Sequence, residues 1–277
     1  MMEFRPCIDI HNGKVKQIVG KSLRDEGDCA TENFVSERSA ADFAGLYQRY
    51  GLHGGHVILL NARDSEYYEA TKAQAVAALS AYPGGLQVGG GITADNAPEF
   101  IRAGASHVIV TSYVFFDGEI RFDRLEKLKA AVGREHLVLD MSCRKKENSY
   151  YVVTDRWQKM TKEQVTPELL DRLSEYADEF LIHAVDVEGQ ARGIEEALVA
   201  MLGAWCKKKH TEHAASESSG SCPAVTYAGG VGGFADLEAL ARIGGGYVNV
   251  TIGSALDLFG GQMAFEDVIC FCREQKN

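Results

Sequence analysis

The chain states one pattern twice, and that duplication narrows its possible folds more than any other feature. One stretch reads Val88-Gly89-Gly90-Gly91-Ile92 and is followed about twenty residues on by Val108-Ile109-Val110-Thr111-Ser112. Another reads Tyr227-Ala228-Gly229-Gly230-Val231, followed by Val248-Asn249-Val250-Thr251-Ile252-Gly253-Ser254. Each has a short apolar strand ending in glycines, a helix-length segment, and a β-branched strand ending in small polar residues. Carboxylates are doubled as well: Cys7-Ile8-Asp9-Ile10 opens the first half and Val138-Leu139-Asp140-Met141 the second. A repeated half with one Asp and one set of glycine-ended strands points to a ligand with two similar anionic ends and chemistry between them.

The alternation runs through the whole chain. Strand candidates are Phe4–Ile10, His56–Leu60, Leu86–Val88, His107–Thr111, Leu137–Asp140, Phe180–Ala184, Ala224–Tyr227 and Val248–Thr251. They are continuous apolar runs, as in strands covered on both faces. Amphipathic stretches between them predict helices over Ser39–Tyr50, Ala70–Ala81, Ala94–Ala103, Asp123–Val132, Pro167–Tyr176, Glu195–Lys208, Ala235–Ile243 and Phe265–Glu274. Eight strands alternating with eight helices predict an α/β fold, a closed (β/α)8 TIM barrel. It would form a single domain over 1–277 built of two similar half-barrels, about 1–133 and 134–277. An open doubly wound sheet is the structural rival.

Two stretches exceed the minimal barrel. Ser142–Thr161 reads as a long loop carrying a small hairpin strand over Ser149–Thr154, placed to cover a substrate. Lys207–Pro223 reads as a solvated loop on the opposite, stability face, and His210 and His213 within it as solvent-facing rather than metal-binding.

Composition excludes several functions. A net charge of −10 argues against a nucleic-acid surface, which needs a basic face. It leaves phosphate binding open, because glycine-rich backbone N–H groups hold anions without net positive charge. No apolar run approaches bilayer length. Seven scattered cysteines include no CxxC pair, which argues against zinc and for reduced thiols. The amino terminus enters a strand almost at once, so no targeting segment is expected. The compartment expected is the cytoplasm, or the plastid stroma if a transit peptide has been removed.

Gly90 and Gly91, with Gly229 and Gly230, are candidates for close backbone approach to phosphate oxygens, and the alternative is a tight turn at positive φ. The first cluster leads into a helix with Thr93 or Asp95 as N-cap. Thr111 and Ser112, and Gly253 and Ser254, end the strands that follow and join the candidate phosphate sites. Asp9 and Asp140 are expected to close strands one and five and to face each other across the barrel, as an acid and a base would. Alone, either could be an N-cap or a loop-pinning carboxylate. His183 is a core histidine or a site residue, whereas Asp186 is expected at the mouth. Trp157 either packs its loop or stacks on a planar ring. Arg144 is favoured over Lys145 and Lys146 as a phosphate ligand because a guanidinium binds through two donors.

Cys7-Ile8-Asp9-Ile10-His11-Asn12-Gly13-Lys14-Val15-Lys16-Gln17-Ile18-Val19-Gly20 resembles the first strand and loop of the ProFAR isomerase family of histidine biosynthesis. Val88–Ile92, Val110–Ser112, Asp140-Met141-Ser142-Cys143-Arg144-Lys145, Asp155-Arg156-Trp157-Gln158, Phe180–Gly189, Tyr227–Gly230 and Gly253-Ser254-Ala255-Leu256-Asp257 extend the resemblance in order across nearly the whole chain. The similarity is to the longer, eukaryotic-type branch. It implies a substrate with two ribose phosphates joined through an aminoimidazole carboxamide, and an Amadori rearrangement of an aminoaldose to an aminoketose. It implies no metal and no redox cofactor; the partner expected is the small-molecule bisphosphate alone, with no nucleic acid and no membrane, and the chain is expected to be a monomer. The resemblance makes Asp9 the base that removes the C2 proton and Asp140 the acid that protonates the ring oxygen. A carboxyl of ordinary pKa, about 3.9, is protonated in about one part in a thousand near neutral pH, so the acid role demands a site that favours the proton.

The chain departs from the pattern in two places. Gln17 stands where bacterial members have Arg, and Glu188-Gly189-Gln190 where they have Asp-Gly-Thr, leaving Asp186 or His183 to replace that Thr. The sister cyclase of the pathway is the nearest rival, with Lys14 and Lys16 near strand one; others are a non-catalytic sugar-phosphate-binding barrel and activity on a tryptophan-pathway analogue.

Overall fold

In a computed structural model, residues 2–18, 32–154, 157, 159–187, 193–215 and 222–275 are described. Strand β1 (Cys7–His11) is followed by an antiparallel pair, β2 (Lys14–Ile18) and β3 (Glu32–Val35), before helix α1 (Ala40–Arg49). The first half continues with β4 (Gly55–Leu59), α2 (Tyr68–Ala81), β5 (Leu86–Gly89), α3 (Ala97–Arg102) and β6 (His107–Val110). A small hairpin, β7 (Phe115–Phe116) and β8 (Glu119–Ile120), precedes α4 (Phe122–Val132). The second half opens with β9 (Leu137–Lys146), β10 (Ser149–Thr154) and β11 (Lys159–Gln164), then α5 (Pro167–Leu173) and β12 (Glu179–Ala184). It closes with α6 (Glu196–Ala215), β13 (Ala224–Ala228), α7 (Phe234–Ile243), β14 (Asn249–Val250) and α8 (Phe265–Glu274).

Eight of these strands make a parallel sheet in the order β14-β13-β12-β9-β6-β5-β4-β1. Beyond β14, Phe4 forms a parallel bridge with Val250. There Arg5 N donates to Val250 O at 2.8 Å and Val250 N to Glu3 O at 3.0 Å.

Local chemistry explains the helices that flank the sheet. Ser39 and Asp42 form a reciprocal capping box at the start of α1, and Ala40, Phe43, Ala44 and Tyr47 give it one buried stripe. Burying a side chain of Phe size contributes about 1.5–3 kcal/mol. Thr166 caps α5 through Leu169 N at 3.2 Å, with Pro167 preset in the first turn.

Register shows the duplication in three dimensions. Asp9 lies beside Ile58, with Cys7 beside His56 two residues earlier. Asp140 lies beside Leu181, with Val138 beside Glu179 two residues earlier. Each aspartate thus holds the same place in its half.

Four expectations need correction. Asp9 and Asp140 do not close their strands: β1 runs to His11 and β9 to Lys146. Ser142–Thr161 is no plain loop, because β9, β10 and β11 form an antiparallel meander whose added partners carry the ladder past the apolar run. The solvated loop from Lys207 is helical as far as Ala215, and 216–221 lie outside the described residues. Its Lys, Glu and Ala are good helix formers, and Lys209 pairs with Asp171 at 2.6 Å. Helix α3 is shorter than expected, with Asn96 rather than Thr93 or Asp95 at its N-cap.

Candidate active site

An Asn-Gly turn builds the first carboxylate's surroundings. Asn12 (φ +52°) and Gly13 (φ +70°) both take the left-handed backbone of a two-residue hairpin and send β2 back along β1. Asn61 fixes this turn, accepting from Asn12 N at 2.8 Å and donating Nδ2 to Asn12 Oδ1 at 2.7 Å. Thr71 Oγ1 accepts from Gly13 N at 3.0 Å. The hairpin brings buried Gln17 to the catalytic candidate: its Nε2 donates to Asp9 Oδ2 at 3.1 Å and reaches Cys7 Sγ at 3.7 Å.

The second carboxylate sits in a different setting. Thr111 Oγ1 donates to Asp140 Oδ2 at 3.2 Å, and His183 Nδ1 lies 3.1 Å from Oδ1. Thr111, expected on a phosphate, directs its hydroxyl to the carboxylate instead. Residues two and four positions along β9 share that face. Trp157 Nε1 donates to Ser142 Oγ at 3.0 Å, and Trp157 itself holds φ +69°, a strained value for a non-glycine residue. Arg144 Nε lies 3.1 Å from Asp186 Oδ1, close enough to pair although not aligned as a hydrogen bond. Asp186 Oδ2 also accepts from Lys145 N at 2.9 Å. Arg144, expected on a phosphate, thus has its Nε on Asp186, and Asp186 is bound to the meander. Glu188, Gly189 and Gln190, the departure after strand six, lie outside the described residues.

The glycine clusters adopt the same backbone twice. Gly90 and Gly91 have φ +102° and +66°, and Gly229 and Gly230 have φ +113° and +78°. A Cβ on Gly90 would stand 2.1 Å from Leu59 O, and one on Gly230 2.0 Å from Gly193 O. The turns therefore require glycine with or without a phosphate. Gly91 is exposed whereas Gly230 is buried. Ser112 and Ser254 are both exposed, just past the ends of β6 and β14. A Cβ on Gly253 would lie 2.6 Å from Gln17 Oε1, so a larger residue there would have to push the Gln17 amide aside.

Burial removes competing reactive groups. It lowers the pKa of His56 to about 3, keeping the imidazole neutral beside β1. It also pushes the Cys143 thiol well above its ordinary range, so this neighbour of Asp140 is no thiolate nucleophile. Among the described residues, no three His, Cys, Asp or Glu side chains are grouped to hold a metal ion. No helix among them is long and apolar enough to cross a membrane.

Residues 3–263 match the family model described as Histidine biosynthesis protein. The chain belongs to that family. Full-length relatives narrow the similarity. The chain is 51% identical over 279 residues to a chloroplastic isomerase of Medicago truncatula, covering 99% of this chain and 83% of the relative. Its name describes a phosphoribosyl imidazole-4-carboxamide bearing a phosphoribosylamino-methylideneamino arm. Isomerases of the same name from Yarrowia lipolytica and Saccharomyces cerevisiae are 43% and 38% identical, each covering at least 96% of both chains. Within this histidine biosynthesis protein, the Gln17–Asp9 contact is the site feature that motif reading passed over. Its signal was Asn12-Gly13 between two strand-like runs.

Proposed function

We propose that the protein is an intramolecular aldose–ketose isomerase converting ProFAR, a bisphosphorylated aminoimidazole carboxamide ribotide, to its ribulosyl isomer in histidine biosynthesis. The observation that carries this reading is near-full-length similarity to isomerases of that name, with Asp9 and Asp140 equivalently placed in the two halves. Asp140 gives its proton to the ribose ring oxygen, the C1–O bond breaks, and the ring opens to a protonated Schiff base. Asp9 takes the proton from C2, the electron pair moves toward nitrogen, and the resulting enolamine tautomerises to the aminoketose. No electron leaves the substrate, and the two protons are exchanged with the two carboxyl groups.

Gly90, Gly91 and Ser112 hold one phosphate in this reading, and Gly229, Gly230, Gly253 and Ser254 the other, through backbone N–H and hydroxyl donors. Trp157 faces the aminoimidazole, while His183 and Thr111 hold Asp140 in its acid orientation.

The sheet is read as a closed (β/α)8 barrel forming one domain of two half-barrels. The Phe4–Val250 bridge supports closure. So does Gln87 Nε2 donating to Glu179 Oε2 at 2.6 Å, because on a flat sheet β5 and β12 would stand about 14 Å apart at a spacing of about 4.8 Å. The enzyme is read as a monomer of the cytoplasm, with the stroma as the alternative that the Medicago relative's name supports.

Incubation with the aminoaldose, without ammonia, tests the activity. Ketose should accumulate. Tight binding with no ketose would leave a sugar-phosphate-binding protein, and turnover confined to a ketose-plus-ammonia assay would leave the cyclase.

A further inference from the structure

We propose that Gln17 is a positioning residue that ties Asp9 to the loop after β14, so that the segment holding one phosphate also aims the base. The inference rests on the isomerase reading and adds a residue to it. Gln17 is 6% exposed, and a buried amide is costly unless both its ends are engaged. An ionised carboxylate only accepts, so the end facing Asp9 Oδ2 at 3.1 Å must be the NH2. The carbonyl end then faces Gly253, filling the space where a Cβ would come within 2.6 Å of Oε1. Cys7 adds a second strut, since its Sγ lies 3.7 Å from the same Nε2 and 3.8 Å from Ile252 O. The β2–β3 register shifts between Gln17 and Ile18, the kind of irregularity that re-aims a side chain.

The amide's neutrality suits a base. The amide orients the carboxylate through a single hydrogen bond without placing a full charge beside it. The phosphate loop and the base are thereby joined through one side chain.

The test uses the full-length protein in steady-state turnover of the aminoaldose. Gln17→Met keeps the side-chain length and removes the donor. It should lower kcat about 10- to 100-fold while KM stays within about threefold, as misaimed catalytic groups do. If Met at this position prevents folding, Gln17→Asn, which stays neutral and polar but whose shorter side chain draws the amide back from Asp9, should show the same split. Wild-type kcat in either variant, or a loss confined to KM, overturns the proposal. Gly253→Ala should lower kcat in the wild-type background, and by a several-fold smaller factor with Gln17→Ala, where the crowded oxygen is gone. Equal losses in both backgrounds overturn the link to the loop. Wild-type protein that leaves the aminoaldose unchanged overturns the isomerase reading and this inference with it. Active wild-type protein with unaffected Gln17 variants overturns this inference alone.

Discussion

The two halves share a scaffold and differ in what surrounds their aspartates. In the first, the hairpin after β1 returns Gln17 to Asp9, a neutral amide on a carboxylate. In the second, β9 runs on into a three-stranded meander, and Asp140 meets a hydroxyl from β6's end and an imidazole from β12. The floors differ too. At matching register the first half buries His56, neutral through burial. The second buries Glu179, ion-paired with Arg5 and bonded to Gln87 and Thr226. Duplicated backbone thus supplies two equivalent carboxylate positions, and divergent side chains give them different surroundings.

The largest expected effects test whether both positions are used. Asp9→Asn and Asp140→Asn should each lower kcat about 100- to 10,000-fold, with KM little changed. A variant at either position with near-normal turnover would confine the chemistry to one half. Next come the floors. Glu179→Gln removes the buried partner of Arg5, leaving it the longer pair with half-exposed Glu3 at 3.6 Å, and should cost up to roughly 3 kcal/mol in chemical denaturation. His56 contributes through pH. Its folded pKa lies below its unfolded value, so the unfolded chain takes up the proton first as pH falls. Stability present above about pH 6.5 is then lost progressively toward about pH 3. His56→Gln should flatten that part of the stability–pH profile. A profile unchanged by the substitution would remove this assignment.

The glycine turns give a finer contrast, because their backbones match and their surroundings do not. Gly230→Ala drives a methyl into Gly193 O and should cost about 3 kcal/mol or more. Gly91→Ala meets only the Arg63 side chain, at 3.1 Å, and should cost about 1–2 kcal/mol. Equal melting temperatures for the two variants would contradict the contrast. The smallest effect is expected of Arg144→Ala: both partners of its pair with Asp186 are about a third exposed, so stability should fall by less than about 1 kcal/mol.

Much of the scaffold could be read before its coordinates, for identifiable reasons. Buried parallel strands such as Leu86–Gly89 leave unbroken apolar runs, and Ser39 with Asp42 announces α1. The extension of β9 into the meander leaves no apolar signal, because Ser142–Lys146 is polar and its pairing with β10 keeps it extended. The end of α6 is not legible locally, because lysine-rich sequence suits solvated helix and loop alike, while Asp171, which anchors Lys209, lies far away in sequence. At the site, the aspartates and glycines stood out by repetition. The partners of those aspartates did not. Gln17, Thr111 and His183 reach them across strands, a relation that residue spacing within one strand does not encode.

The proposed division of one proton-transfer reaction between the equivalently placed Asp9 and Asp140 is probed at its core by deuterium at C2 of the substrate ribose. Wild-type protein should release that deuterium to solvent while forming ketose, and Asp9→Asn should retain it at C2 with the substrate still bound. Release at the wild-type rate by Asp9→Asn would show that another group takes the proton and would contradict the division of roles.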